Sequence, residues 1–241
     1  TFTQVHFAKC EPVVMDTRFN SSVTDIFRNE YLSPRSPYTT LQIPKQGIGE
    51  WCHPLHTVDI NDAGLRSSVQ NGILNTKLGI PFRTPAEGHN VAFTSLWDNY
   101  PDSLEIPLKG KASRAYLLMA GSTNHMQCHI DNGVIRIYYK DGTRDVMFLR
   151  NPDNWPPIEH IFFEDGLAFN RHTPALYRLR LKTGEISNNF GEELGFPGAS
   201  RELDGGAAVL LEMPLNPGKK LSHLVLETLS NDVVIGLMSI T

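Results

Sequence analysis

Apolar and polar residues alternate along several short stretches of this chain, as they do in β-strands with one buried face. In Tyr177–Lys182, a tyrosine and two leucines occupy one face and three cations the other. Ser103–Leu108 shows the same alternation. Further strand-like runs are Thr39–Ile43, Val91–Leu96, Ala115–Ala120, Val134–Tyr139, Val146–Leu149, Ile161–Phe163, Ala207–Glu212, Leu221–Leu229 and Val233–Ile240.

Turn residues separate these strands at short intervals. Lys140–Thr143, with the sequence KDGT, predicts a hairpin between the strands on either side of it. Ser230–Asp232 predicts a turn before the final strand. The chain contains 19 glycines and 16 prolines, and their distribution between the strands is typical of a β-sandwich or jelly roll.

The best helical pattern covers Ser22–Tyr31, where apolar residues recur at helical spacing. Ser22 and Asp25 resemble a capping box, and Pro34 ends the run. One short helix among so many strands predicts an all-β fold, specifically an antiparallel β-sandwich or jelly roll.

The composition is that of an ordinary globular protein. Of the 241 residues, 40% are hydrophobic and 20% are charged, and the net charge is −4. The lysines and arginines are dispersed, which argues against nucleic acid as a partner. No apolar run reaches the length of a membrane span, so we expect no membrane insertion.

The apolar positions are unevenly distributed along the chain. Residues 1–54 have too few of them to fold alone, so we expect an N-terminal extension that packs on a β-sandwich domain of residues 55–241. A chain that opens on Thr1 is expected to be processed or excised from a longer protein. Its first residues lack the apolar core of a secretion signal.

The three cysteines are Cys10, Cys52 and Cys128. Their wide spacing, without a Cys-x-x-Cys pair, argues against a zinc ribbon and a thioredoxin-like site. Both a Cys10–Cys52 disulfide and three buried thiols are compatible with the sequence.

Familiar catalytic motifs are absent from the sequence. It has no Gly-x-Ser-x-Gly elbow, no His-Glu-x-x-His and no phosphate-binding loop. We therefore assign no catalytic residue, and we expect neither zinc nor a redox cofactor.

Two segments have some of the character of a metal site. On a strand, His125 and His129 would share a face and could ligate a metal, although ordinary strand-edge histidines are the favoured interpretation. Asp59–Gly64 is rich in oxygen ligands but lacks the downstream glutamate of a calcium loop. A turn is the favoured interpretation of this segment. Binding of a structural calcium ion is the alternative.

Sugar recognition requires an aromatic ring that stacks on the apolar face of a pyranose and polar groups that bind its hydroxyls. Two proline-bounded segments combine these residue types, and they make the candidate carbohydrate-binding residues Trp97, Asp98, Asn99, Tyr100, Asn154 and Trp155. The alternative is that these tryptophans fill the core. Trp51 is a further candidate if the extension folds back.

Glycoside hydrolysis requires two carboxyl groups on either side of the scissile bond. Five carboxylates lie in aromatic-rich, loop-like stretches: Asp98, Asp102, Glu159, Glu164 and Asp165. The sequence alone does not bring two of them together. A hydrolase that uses these loops is therefore the alternative to a binding domain.

Several segments, in order, resemble galactose-binding-like jelly rolls appended to glycoside hydrolases. The resemblance covers roughly Thr57 to Thr241 and rests on GIPF (Gly79–Phe82), SLWDNYPDS (Ser95–Ser103), IPLKGKASRAYLLMAGSTN (Ile106–Asn124), VIRIYYKDGT (Val134–Thr143), LRNPDNWPP (Leu149–Pro157) and LVLETLSNDVVIGLMSIT (Leu224–Thr241). The same segments resemble C-terminal regions of large Bacteroidetes proteins that occur among glycan-degrading genes and carry a domain of unknown function.

This resemblance implies a galactose-binding-like fold and a non-catalytic accessory role in a larger glycan-active bacterial protein. The domain would bind carbohydrate or brace a neighbouring domain of the parent chain, in the periplasm, at the cell surface or after secretion. The alternative is a glycoside hydrolase, or a part of one. The resemblance supplies no catalytic residues.

Overall fold

The computed structural model describes residues 9–28, 59–97, 99–123, 127–161, 170–195 and 202–241. The strands are β1 (Val69–Gln70), β2 (Ile73–Asn75), β3 (Pro81–Arg83), β4 (Ala92–Ser95), β5 (Ser103–Pro107), β6 (Arg114–Thr123), β7 (Gly133–Tyr139), β8 (Arg144–Leu149), β9 (Tyr177–Arg180), β10 (Ile186–Ser187), β11 (Ala207–Pro214), β12 (Leu221–Thr228) and β13 (Val233–Ile240). The helices are α1 (Ala63–Ser67), α2 (Phe190–Glu193) and the 3₁₀ turns Asp16–Arg18 and Val23–Asp25.

These strands form two large sheets and one small sheet. The six-stranded sheet has the order β10-β9-β11-β6-β13-β4, and the four-stranded sheet has the order β5-β12-β7-β8. Strands β1, β2 and β3 form the small sheet. The strand pairs are antiparallel. The predicted all-β antiparallel sandwich is therefore confirmed.

The six-stranded sheet is buried on both faces. Leu117 and Met119 of β6 face a core shared with the four-stranded sheet. Tyr116 and Leu118, one position along, belong to a second core that includes side chains of α1, β2 and β3. Side chains of a strand point alternately to its two faces, so this sheet is the middle layer of three. Because both of its faces are buried, the sequences of its central strands are continuously apolar.

The predicted hairpin between β7 and β8 is present. Gly142 adopts a φ of 83°, which a residue without a Cβ accepts most easily. The Tyr139 N–H donates to the Thr143 carbonyl at 2.9 Å, which closes the turn. Of the other predicted strands, Thr39–Ile43 lies outside the described residues, and only Ile161 of Ile161–Phe163 is described, without strand structure.

The helix predicted for Ser22–Tyr31 is wrong within the described residues. A 3₁₀ turn covers Val23–Asp25 and a simple turn follows it. Ser22 makes no side-chain cap, and the Val23 N–H instead donates to the buried Asn90 Oδ1 at 2.9 Å. Burial of Val23 and Ile26 in the second core accounts for the apolar spacing that resembled a helix.

Part of the N-terminal region runs along the sandwich. The Val13 N–H donates to the carbonyl of Ile240 at 2.8 Å. The Asn20 side chain pairs with Phe93 of β4, donating to its carbonyl and accepting its N–H, each at 2.9 Å. These contacts attach residues 13–20 to the edge and end of the six-stranded sheet.

Cys10 carries a thiol rather than a disulfide, and so does Cys128; Cys52 lies outside the described residues. Within the described ranges, the helices are too short to cross a membrane.

Candidate functional site

The aromatic residues predicted to bind sugar in the first loop are core residues. Trp97 is 4% exposed and Tyr100 is 5% exposed. The Trp97 indole N–H donates to the Asn231 carbonyl at 2.8 Å, and the Tyr100 ring packs 5.1 Å from the ring of Phe93. Asn99 is partly buried, and Asp98 lies outside the described residues. Neither ring presents an exposed face for stacking, which favours the alternative that these residues fill the core.

The second predicted loop gives the same result. Trp155 is fully buried in the core between the two large sheets. Asn154 accepts the Arg150 N–H at 2.8 Å and donates to the Phe148 carbonyl at 2.9 Å, so its amide closes its own turn. Burial of a large indole and closure of a turn by an asparagine explain this segment without a ligand.

The predicted carboxylates occupy very different environments. Asp98, Glu164 and Asp165 lie outside the described residues. Asp102 is exposed, whereas Glu159 is buried. Burial raises the pKa of Glu159 to about 7, and the positive charge of Arg178 opposes that shift only in part.

Arg178 is a buried cation held by backbone carbonyls. Its guanidinium donates to the carbonyls of His160 (3.1 Å), Pro157 (2.8 Å) and Ala207 (2.9 Å). Burial lowers the pKa of Arg178 to about 10. This arrangement ties β9 to β11 and to the segment after β8, and it makes Glu159 part of the interior.

The calcium-like segment forms the start of α1. Asn61 Oδ1 accepts the Ala63 N–H at 2.9 Å. Asp62 Oδ2 accepts from Arg66 at 2.9 Å and from Asn90 at 2.8 Å. The oxygens of this turn therefore serve helix initiation and a buried polar network.

An exposed surface that the sequence reasoning missed lies on the four-stranded sheet, on the side away from the core. We call it the outer face. Tyr138 of β7 stacks on His223 of β12 with ring centroids 4.7 Å apart and planes 11° apart. On the other side, the Arg144 guanidinium lies 5.7 Å from the Tyr138 ring and donates to its Oη at 3.1 Å. Three planar side chains thus stand in a row across three strands.

The neighbouring part of the outer face is apolar with charged margins. Val146 and Phe148 of β8 are 42% and 43% exposed, so both present apolar surface to solvent. The Arg150 guanidinium lies 5.7 Å from the Phe148 ring. Arg136 forms an ion pair with Glu227 across β7 and β12. The alternation in β7 and β8 was the signal that could have identified this face, because it separates Tyr138 and Phe148 from the core positions.

A second cluster lies in three connections of the chain. His129 lies between β6 and β7, Asp153 follows β8, and His172 precedes β9. The Nδ1 atoms of His129 and His172 lie 3.8 Å and 3.7 Å from Asp153 Oδ2. One potential ligand atom from each residue falls within 4.8 Å of the others. The two imidazoles are stacked, with centroids 4.5 Å apart.

The loops hold His129 and Asp153 firmly. The His129 N–H donates to the Asn151 carbonyl at 2.8 Å, and the residue has a φ of 56°, which is uncommon for a non-glycine residue. Asp153 Oδ1 accepts the His172 N–H at 2.7 Å, and the Asp153 carbonyl accepts the Thr173 hydroxyl at 2.6 Å. Sequence reasoning selected His129 but paired it with His125, which lies outside the described residues.

A cleft of about 380 Å³ lies beside β2 and α2. Two contacts between its lining residues are a hydrogen bond that Ser187 donates to Glu193 at 2.7 Å and the Arg180 guanidinium lying 5.9 Å from the Phe190 ring.

No family model, curated protein or solved structure matches the chain.

Proposed function

We propose that this chain is a non-catalytic accessory β-sandwich of a larger, glycan-active bacterial protein, and that it binds carbohydrate on the outer face of its four-stranded sheet. The observation that carries the proposal is the row of His223, Tyr138 and Arg144 beside the exposed Val146 and Phe148. This surface replaces the buried tryptophans as the candidate site.

The chemistry of this face suits a sugar. A pyranose presents an apolar C–H face and a rim of hydroxyls, so its site needs an apolar surface with polar groups at fixed positions. Phe148 and Val146 supply the apolar surface. Tyr138 and Arg144 supply a hydroxyl and guanidinium donors, and stacking and a mutual hydrogen bond hold them in place. Little side-chain freedom is then lost on binding, which favours affinity.

The hydrolase alternative receives less support from the described residues. Glu159 has the raised pKa of a general acid but is buried behind Arg178 and its carbonyl partners. Asp102 is exposed on the segment before β5. A carboxyl group sealed in the interior cannot protonate a glycosidic oxygen, so Glu159 serves the fold in this proposal.

The wider setting is proposed on the resemblance in sequence described above. A galactose-binding-like jelly roll in a glycan-degrading protein would work in the periplasm, at the cell surface or outside the cell. A neighbouring domain of the parent chain would then carry out the chemistry, and this sandwich would hold the substrate near it.

The test is a glycan array followed by calorimetric titration with the strongest soluble ligand. We expect Phe148→Ala to weaken binding by about thirtyfold, the loss of about 2 kcal/mol typical of an aromatic anchor. Tyr138→Ala removes a hydroxyl group and should weaken binding by roughly tenfold or less, as the loss of one hydrogen bond of about 1 kcal/mol does. Leu194→Ala, an exposed apolar residue outside the face, is the control and should bind as the wild type does. Unchanged binding in folded Tyr138→Ala and Phe148→Ala, or no glycan bound by the wild type, would refute the proposal.

A further inference from the structure

We propose that His129, Asp153 and His172 form a binding site for a divalent transition-metal ion of the zinc class. Two imidazoles and one carboxylate are a ligand set that proteins use for zinc and for iron(II). The site is separate from the outer face, and the inference does not depend on sugar binding.

The donor atoms are spaced nearly as such an ion requires. With bonds of about 2.1 Å, two ligands of a tetrahedral ion lie roughly 3.4 Å apart. The Nδ1–Oδ2 distances are 3.8 Å for His129 and 3.7 Å for His172. His172 has a side chain that is 62% exposed, so its ring has room to turn. Rotation of the stacked rings by a modest angle would bring both nitrogens into bonding position.

The ring of His129 provides the second, independent observation. Both of its nitrogen atoms are shielded from solvent, and neither has a hydrogen-bond partner. An unsatisfied buried polar atom costs free energy, roughly 1–3 kcal/mol. A metal ion bound at the cluster would coordinate one of these nitrogen atoms and so remove part of this free-energy cost. The backbone of His129 has a φ of 56°, which is strained for a non-glycine residue. Such strain is typical of residues that are positioned to bind a ligand.

The surrounding groups leave Asp153 able to act as a ligand. Two arginines near the cluster have acceptors of their own: Arg150 Nε donates to Asp131 at 2.5 Å, and Arg171 Nε donates to the Thr173 carbonyl at 3.1 Å. Asp153 uses Oδ1 for the His172 N–H, which leaves Oδ2 directed toward the two imidazoles. The free carboxylate oxygen and the imidazole nitrogens together present lone pairs to a cation.

Three protein ligands leave at least one coordination position open. Structural zinc sites usually take four protein ligands, whereas sites with three keep a position for water or a substrate oxygen. The exposure of His172 places that open position toward solvent. The sequence argument against zinc rested on ligand spacing along the chain, and here the three ligands come from three separate connections.

The test uses the whole chain, stripped of metal with a chelator and titrated with Co²⁺ by visible absorbance and with Zn²⁺ by calorimetry. We expect one bound ion that is lost in His172→Ala and Asp153→Asn, with affinity reduced at least about 100-fold. Asp153→Asn keeps the Oδ1 acceptor for the His172 N–H, and His172 is exposed, so both variants should fold as the wild type does. His89→Ala, an exposed histidine outside the cluster, is the matched control and should bind normally.

Acidification gives a second readout. Imidazole must be unprotonated to bind a metal, so affinity should fall as the solution is taken from about pH 7.5 to about pH 5.5. Absence of stoichiometric Co²⁺ and Zn²⁺ binding at the higher pH would overturn the proposal. Binding that is unchanged in folded His172→Ala and Asp153→Asn would overturn it too, because the ion would then sit elsewhere. Glycan binding should survive both changes, which separates this test from that of the outer face.

Discussion

The indole of Trp155 lies against the backbone of Gly121. A Cβ placed on Gly121 would fall 2.4 Å from Cζ2 of the ring and 2.1 Å from the Val234 carbonyl oxygen. Gly121 belongs to β6, the central strand of the larger sheet, and Trp155 fills the space that its missing side chain leaves. The tryptophan and the glycine therefore form one packing unit, although they come from different parts of the chain.

We expect Gly121→Ala to destabilise the protein by about 1–3 kcal/mol or more, because neither the ring nor the Val234 carbonyl can yield without disturbing the sheet. Thermal and urea unfolding measure the effect. Gly191→Ala is the matched control, because Gly191 lies in α2 without a positive φ and no atom lies within 4 Å of the place that a Cβ would take. Alanine there should be neutral or slightly stabilising. Equal stability of both variants would contradict this account of the core.

Glu159 should make the stability of the protein depend on pH. Its pKa is about 7 in the folded protein, against an ordinary value of 4.5. The folded state therefore holds the proton more tightly, and the stabilisation is fully present below about pH 4.5 and lost as the pH rises through about 7. The total change is on the order of 3 kcal/mol.

We expect Glu159→Gln to remove this dependence, so that the variant gains stability over the wild type between about pH 5 and about pH 8. Urea unfolding across that range is the measurement. Glu185→Gln, at an exposed carboxylate, should leave the wild-type profile unchanged. A Glu159→Gln profile parallel to that of the wild type would show that the buried carboxyl does not titrate in this range.

Arg178→Met should be among the most damaging single changes in the chain. It removes the donors of three buried carbonyls, and each unsatisfied polar group costs about 1–3 kcal/mol. We expect a loss of at least about 3 kcal/mol in the free energy of unfolding, measured by urea denaturation. Arg83→Met, which breaks the exposed ion pair with Asp16, should cost no more than about 1 kcal/mol. Similar costs for the two variants would contradict the structural role of Arg178.

The sequence predicted the strands better than it predicted their surroundings. Alternation identified β9, although the strand ends at Arg180 rather than at the predicted Lys182, and it placed Arg178 and Arg180 on the same face. It did not show that Arg178 is buried. The residues that cover Arg178 include Pro157 and His160, which belong to a different segment of the chain. Local patterns report which residues share a face but not what lies against it.

The candidate sites show the same limit. The sequence around Trp155 has the composition of a sugar site. In the structure, however, Trp155 packs against Gly121, which is distant in the sequence. His129 could be selected from sequence alone, whereas its neighbours Asp153 and His172 come from later connections. Such contacts depend on how the loops meet at the end of a sheet. They could not be derived from the spacing of residues along one chain.

The pairing of Asn20 with Phe93 has a consequence for self-association. Strand β4 lies at one edge of the six-stranded sheet, and an open edge is a template onto which another chain can add a strand. The Asn20 amide occupies both backbone groups of Phe93 as a neighbouring strand would. A side-chain amide has no second edge of its own, however, so a further copy of the chain cannot extend the hydrogen-bonded ladder at Phe93.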